Sequence, residues 1–461
     1  MPPAFLLRSR RDRQIAGGLA LAVSASLPPG RTPRIVRTQR IALALLVLSG
    51  VINYIDRATL AVANPLIREE LGLSVGDMGL LLSAFLWAYA FSQLPVGALV
   101  DRFGPRRMLS LGLGLWSIAQ AAGGLVHSFT QFFAARMLLG IGEAPQFPTA
   151  ARVSRDWFNA RDRGTATGIW NCSSTLGTAV SVPVLTFLML YVGWRWMFLI
   201  VGLAGVAVAV IAYAIYRNPG EVALTPEERA HLTEGDATGE TTQLTLVEWR
   251  RLFTFRTTWG MLIGFFGVIY TLWIYASWLP AYLEMERHIS IRDTGVLAAI
   301  PFAFGVVGSL LGGRLTDVLA RRGVSPVNSR KWPMAISLAG AGLCTALAAW
   351  TPSNSLAIAF ISAAMFLGYV ATATAWAMVS VVAPANCTAS LGAMQNFGGY
   401  LGGALAPTAT GFIVEGSGSF APALLVGASL AVFCAVAYAV IVRDPIPAIE
   451  LDPTVAPAPA Q

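Results

Sequence analysis

Long apolar stretches follow one another along this chain with only short polar joints between them, and that pattern decides what it can become. A bilayer core takes about 20 mostly apolar residues per helical crossing. Stretches of that length run over 41–66, 78–100, 107–127, 132–154, 164–190, 196–216, 257–283, 294–319, 332–351, 354–382, 388–414 and 419–442, called segments 1 to 12 below. Only 12% of the 461 residues are charged, against about a quarter in an ordinary soluble protein. Most of the chain therefore has no water to face. The runs are long and do not alternate, which excludes a transmembrane β-barrel. The pattern predicts an all-α membrane protein of twelve transmembrane helices in two six-helix, pseudo-symmetric halves.

The net charge of +8 would suit a nucleic-acid partner, but its distribution excludes one. Of the 32 Lys and Arg, 26 fall on the N-terminal side, in the N-tail, in or at the edge of every second loop, and in the C-tail; the exceptions are Arg57 and Arg136 deep inside segments and Arg68, Arg195, Arg287 and Arg292 in the opposite loops. Basic residues collect on the cytoplasmic side of a membrane, so both termini are expected there. The expected organisation is a basic, disordered tail at 1–39, a six-helix bundle at 40–216, a charged cytoplasmic linker at 217–256 with a short surface helix near Thr225–Leu232, a second bundle at 257–443, and a disordered tail at 444–461. Arg8 to Arg13 followed by Ile15–Leu27 imitate a signal peptide, but the loop charges keep the N-terminus inside. The four cysteines show no CxxC spacing and the three histidines are scattered, so neither a metal site nor a cofactor is expected, and no nucleophile–base set suggests an enzyme. A monomer is expected.

Two echoes relate the halves. Gly97-x-x-x-Asp101-Arg102 after segment 2 is answered by Gly313-Arg314-x-x-Asp317 after segment 8, and Gly168…Asn171 on segment 5 by Gly392…Asn396 on segment 11. Paired halves around a central midplane site are a recurring transporter plan. An acidic residue at a helix end, a glycine turn and following arginines can form a cytoplasmic latch that differs between inward-open and outward-open states. Gly97, Asp101, Arg102, Arg106 and Asp317 are its candidates.

Charges inside membrane helices are costly and default to functional hypotheses. Four lie deep: Asp56 and Arg57 on segment 1, Arg136 and Glu143 on segment 4. Arg136 and Glu143 are two turns apart, about 10 Å along one face, so each needs a partner on a neighbouring helix. Asp56 and Arg57 diverge by about 100°. Asp56 is expected to face Arg136, and Arg57 to face the cavity, where a guanidinium can clamp a carboxylate bidentately. Asp56 and Glu143, with Arg136 between them, are the proton-coupling candidates. Polar and aromatic groups at helical spacing complete a substrate wall: Tyr54; Tyr89 and Gln93; Asn171 and Ser174; Tyr270, Trp273 and Tyr275; Thr372 and Trp376; Gln395 and Asn396. Such groups suit a polyhydroxylated or an aromatic carboxylate.

The Gly97-to-Arg107 run resembles the major facilitator superfamily. Asn53-Tyr54-x-Asp56-Arg57 and Arg136-x-x-x-Gly140-x-Gly142-Glu143-x-Pro145 resemble its anion:cation symporter family, whose bacterial members include hexonate, hexarate and aromatic-acid permeases. The resemblance spans about 40–443. It implies that Arg57 binds a substrate carboxylate with Tyr54, Tyr89 and Asn396 nearby, and that Asp56 and Glu143 take protons with Arg136 linking them. One departure is on segment 5, where Cys172, Ser173 and Ser174 follow Asn171 in place of the longer amide of galactonate-type members. The expected function is proton-coupled uptake of a small organic anion, a sugar acid such as a hexonate or hexarate, by alternating access in a bacterial inner membrane. The alternatives are uptake of an aromatic carboxylate and proton-driven efflux of amphipathic compounds.

Overall fold

The computed structural model describes residues 31–159, 162–234, 250–383 and 388–447, and among them all regular structure is helical. The expected tails lie largely outside the described residues. The first helix, α1, spans Pro33–Leu71 and is longer at both ends than segment 1. Thr32 caps it by accepting from the Ile35 N–H at 3.3 Å, and Pro33 supplies a preset φ at the first position. Gly72 ends it in the left-handed region, φ 63°, with its N–H on the Arg68 carbonyl. These caps sit outside the apolar run, where the exposed Arg34, Arg37 and Arg40 carry the helix beyond it.

Two helices each hold two segments. Helix α2 (Val75–Gly123) and a later helix (Arg163–Ile215) bend sharply at Gly104, φ 78°, and Gly193, φ 81°. Only glycine takes such angles without strain, so the glycine of the Gly97-to-Arg107 motif is the turn itself. Segment 4 divides instead. Its α3 (Phe129–Glu143) and α4 (Gln146–Trp157) part at Ala144-Pro145, where proline has no N–H to give the helix. The double helix Arg163–Ile215 is α5, and the short linker helix Pro226–Leu232 is α6. The second half runs as α7 (Arg256–Met285), α8 (Ile291–Leu297), α9 (Ala299–Arg321), α10 (Asn328–Trp350), α11 (Asn354–Val382), α12 (Thr388–Ser417) and α13 (Ala421–Ile441). Eight helical stretches are by length and composition alone apolar enough to cross a bilayer. Cut at the two glycines and joined across the two short breaks, the helices fall on the twelve apolar segments.

Small residues bring segment 4 against both rods of α2. A Cβ at Gly142 would meet the Trp116 backbone nitrogen at 2.6 Å, one at Gly112 the Gly142 carbonyl at 2.9 Å, and one at Gly140 the Tyr89 nitrogen at 3.0 Å. Backbones this close let α3 carry Arg136 and Glu143 inward beside α1. The start of the linker belongs to the first half. Thr32 donates to Glu228 at 2.6 Å, Arg34 to the Ala223 carbonyl at 3.1 Å, and Arg106 pairs with Glu221 at 3.3 Å. The Thr32 hydroxyl and the Thr225 N–H hold the Glu228 carboxyl below its usual range. That clip therefore acts above ordinary carboxylate pH and is lost as pH falls through the lowered value.

Gly142→Ala is expected to lower stability by about 1–3 kcal/mol through overpacking. The midpoint of thermal unfolding in detergent measures it, and an unchanged midpoint would mean that α2 and α3 can separate freely.

Candidate binding cavity and its buried charges

Four charged side chains sit inside the first half. Asp56 and Glu143 are wholly buried and Arg136 is 3% exposed. An isolated ion at such depth costs several kcal/mol, so their partners decide the local structure. The Arg57 Nε donates to Glu143 Oε2 at 2.8 Å, tying α1 to α3. Three rings frame the same guanidinium: Tyr54 at 5.0 Å, Phe85 at 5.1 Å and Tyr89 at 5.0 Å. These contacts are cation–π in character and leave one edge of Arg57 open.

The expected pairing of Asp56 with Arg136 is not the one found. Among the described residues these two make no ion pair within 4 Å. The partner of Asp56 is Trp116 on α2, whose indole Nε1 donates to Oδ2 at 3.0 Å. Arg136 lies over the Phe85 ring at 5.4 Å, and its Nε and Nη1 have no hydrogen-bond partner. The physical reason lies in the glycine contact just described: it presses the Trp116 backbone onto Gly142. The rod that carries Trp116 thus sits against α3, and its indole takes the place beside Asp56. Nothing in the local sequence of segment 3 announces this, because a tryptophan in an apolar run reads as packing.

Between the halves lies a cavity of about 750 Å³. Arg57, Tyr54, Tyr89, Gln93, Asn171, Ser174, Thr372, Trp376 and Asn396 all line it, so the structure brings these expected wall residues to one space. Asp56, Arg136 and Glu143 do not line it; they stand behind Arg57. Trp273 also reaches the wall, while Tyr270, Tyr275 and Gln395 do not. Tyr275 instead donates to Thr345 at 2.8 Å, joining α7 to α10. Sequence reasoning missed Tyr400, whose ring lies 4.8 Å from that of Tyr89 across the two halves, and also Tyr369, Thr178 and Ser181. The four-residue step from Asn396 to Tyr400 on α12 is the signal that could have found the first.

Side chains on the wall are already partly committed. Gln93 donates to the Ala144 carbonyl at 3.1 Å, an acceptor left free because Pro148, four residues on, has no N–H. Ser174 and Thr372 donate to the Asn171 and Gly368 carbonyls of their own helices at 2.7 and 2.9 Å. Among the described residues, the hydrogen bonds between the halves all lie on one side of the cavity, away from the chain's start. Glu415 of α12 accepts from the Gly76 N–H at 2.7 Å and from Ser74 at 3.1 Å, and Thr408 donates to Ser83 at 2.7 Å. Arg68 meets the Met285 sulfur at 3.2 Å on the same side. On the other side, Arg106 is held by the Tyr213 carbonyl and Glu221, Asp317 is exposed, Arg102 rests over Phe103 at 5.5 Å, Gly97 lies within α2, and the side chain of Asp101 lies outside the described residues.

A family model described as "Major Facilitator Superfamily" matches residues 46–407. The chain is 43% identical over 416 residues to the "Probable L-galactonate transporter" of Escherichia coli (strain K12), covering 90% of this chain and 92% of that protein. It is 32% identical over 418 residues to the "D-galactonate transporter" of Escherichia coli O6:H1, covering 88% and 96%. It is also 32% identical over 435 residues to the "Probable galactarate/D-glucarate transporter GudP" of Bacillus subtilis (strain 168), covering 91% and 94%. Among solved structures, an inward-facing, unoccupied bacterial homolog of the human lysosomal transporter Spinster superposes with a TM-score of 0.71 at 21% identity, covering 88% of this chain and 95% of that one. The chain belongs to the Major Facilitator Superfamily: it is a multi-pass membrane transporter and not an enzyme.

Trp116→Phe removes the one hydrogen bond made to the buried Asp56 side chain among the described residues. It is expected to destabilise the purified protein by about 1–3 kcal/mol. A thermal midpoint equal to that of the parent would show that the bond is not what holds Asp56.

Proposed function

We propose that this member of the superfamily imports a small sugar-acid anion, a hexonate or hexarate, across a bacterial inner membrane by proton-coupled alternating access. The observation that carries the reading is Arg57. Its guanidinium lies on the wall of the cavity, holds Glu143 through Nε, and keeps a buried Nη2 without a hydrogen-bond partner. A substrate carboxylate and the Glu143 carboxylate then compete for one cation. Protonating Glu143 removes its charge and frees Arg57 to clamp the substrate. Asp56, held by Trp116 one residue along α1, is the second proton site, and Arg136 supplies the balancing charge. The names of the relatives, galactonate and galactarate/D-glucarate transporters among them, support the substrate class.

The 26 basic residues gathered on one side support cytoplasmic termini. The cavity then faces the cytoplasm, with the Glu415 and Thr408 contacts closing the outer side. Every element of the cycle described here lies within one chain, in keeping with a monomer.

The test is uptake of labelled hexonates and hexarates into proteoliposomes under an imposed inward proton gradient. Accumulation that an uncoupler abolishes is the expected result. Arg57→Ala should cut it at least about thirtyfold, the cost of truncating one partner of a buried charge pair; normal transport by that variant would sink the clamp. Ejection of a lipophilic dye with no acid uptake would favour an exporter.

Asp56→Asn and Glu143→Gln separate coupling from binding. Both should keep substrate counterflow and lose gradient-driven accumulation. Should both still concentrate substrate on the gradient, protons are not the coupling ion.

A further inference from the structure

We infer that the cavity selects a polyhydroxy monocarboxylate, an aldonate, and discriminates against the corresponding dicarboxylate, an aldarate. The inference rests on the sugar-acid reading above and divides the class that it leaves whole. Among the described residues that line the cavity, Arg57 is the single charged side chain. It can pair with one carboxylate. A second carboxylate, at the far end of a six-carbon chain, would find no second cation among the described lining residues.

Several hydroxyls of the lining are also turned the wrong way for an anion. Four of them, three on α5 beside α1 and Thr372 on α11, have already spent their protons on backbone carbonyls. Ser174 donates to Asn171 at 2.7 Å, Thr178 to Ser174 at 2.7 Å, Ser181 to Thr178 at 2.9 Å and Thr372 to Gly368 at 2.9 Å. Each presents lone pairs to the cavity, which accept from a donor. A sugar hydroxyl is such a donor; an ionised carboxylate is acceptor-only. Polyol hydroxyls are therefore matched at these positions, whereas a distal carboxylate would find the neutral Asn171 and Asn396 amides but no counter-charge, and an uncompensated charge in such a place is strongly disfavoured. A site built to hydrogen-bond one group rejects the analogue that cannot reproduce the bonds.

The experiment is competition against labelled galactonate uptake in proteoliposomes of the full chain, using unlabelled galactonate and gluconate against galactarate and glucarate at neutral pH. The aldonates should halve uptake at a concentration about tenfold or more below any aldarate. Thr372→Val, which keeps the shape and removes the acceptor, should weaken galactonate about tenfold. Aldarates competing within about threefold of aldonates, or a Thr372→Val variant indistinguishable from the parent, would overturn the inference while leaving sugar-acid transport intact. If neither class competes and no acid accumulates, the sugar-acid reading itself falls, and this one with it.

Discussion

The ion pair between Arg57 and Glu143 is the constraint on which the rest of the site depends. At 2.8 Å and nearly full burial it has no water to share its charges. Breaking such a pair by removing one partner costs far more than the pair contributes, because the survivor is left buried and uncompensated. The pair therefore fixes the relative depth of α1 and α3 for as long as Glu143 keeps its charge. Arg57 also lines the cavity, and it is there that we propose a substrate competes with the protein for the cation.

Second to the pair is the way the helices reach this depth. Gly142 against Trp116, Gly112 against Gly142 and Gly140 against Tyr89 bring three rods to backbone contact, so that α3 delivers Glu143 and Arg136 while α2 delivers Tyr89, Gln93 and Trp116 to the same region. Hydroxyls elsewhere on the wall bond back to their own helices. Those bonds satisfy polar groups that would otherwise be orphaned in a low-dielectric medium, and they also fix which way each hydroxyl can serve a ligand. Stability and selectivity thus come from the same arrangement of protons.

Much of this was legible in the sequence because the bilayer reduces the fold problem to runs of apolar residues and the exceptions within them. Arg57 and Tyr89 stood out as polar positions at helical spacing, and the structure sets them on one wall. What the sequence hid were contacts between rods distant along the chain. Asp56 bonds Trp116 rather than pairing with Arg136, because an indole N–H is invisible in an apolar run until packing aims it. Arg57 pairs with Glu143 although 86 residues separate them, and adjacency on one helix gave no means of choosing between the two carboxylates. The contacts of Arg106, a latch candidate, with Asn218 and Glu221 of the linker were hidden in the same way.

Alternating access also requires that the closed side be able to open, and the chemistry of that seam fits the need. It is made of Glu415 on the Ser74 and Gly76 end of α2, of Thr408 with Ser83, and of glycines that let the two halves touch: a Cβ at Gly79 would meet the Pro407 carbonyl at 2.7 Å, and one at Gly411 the Val75 carbonyl at 2.8 Å. The hydrogen bonds are of the kind whose net contribution is about 1–3 kcal/mol each, the larger value for those to the Glu415 carboxylate, and water can replace either partner once the seam parts. Glu415 and Ser74 lie at the helix ends, where that water is at hand. The buried charges, by contrast, have no such substitute. Strength is thus placed inside the first half, where nothing must part, and replaceable contacts between the halves, where something must; a transporter with the opposite arrangement would hold its shape and not turn over.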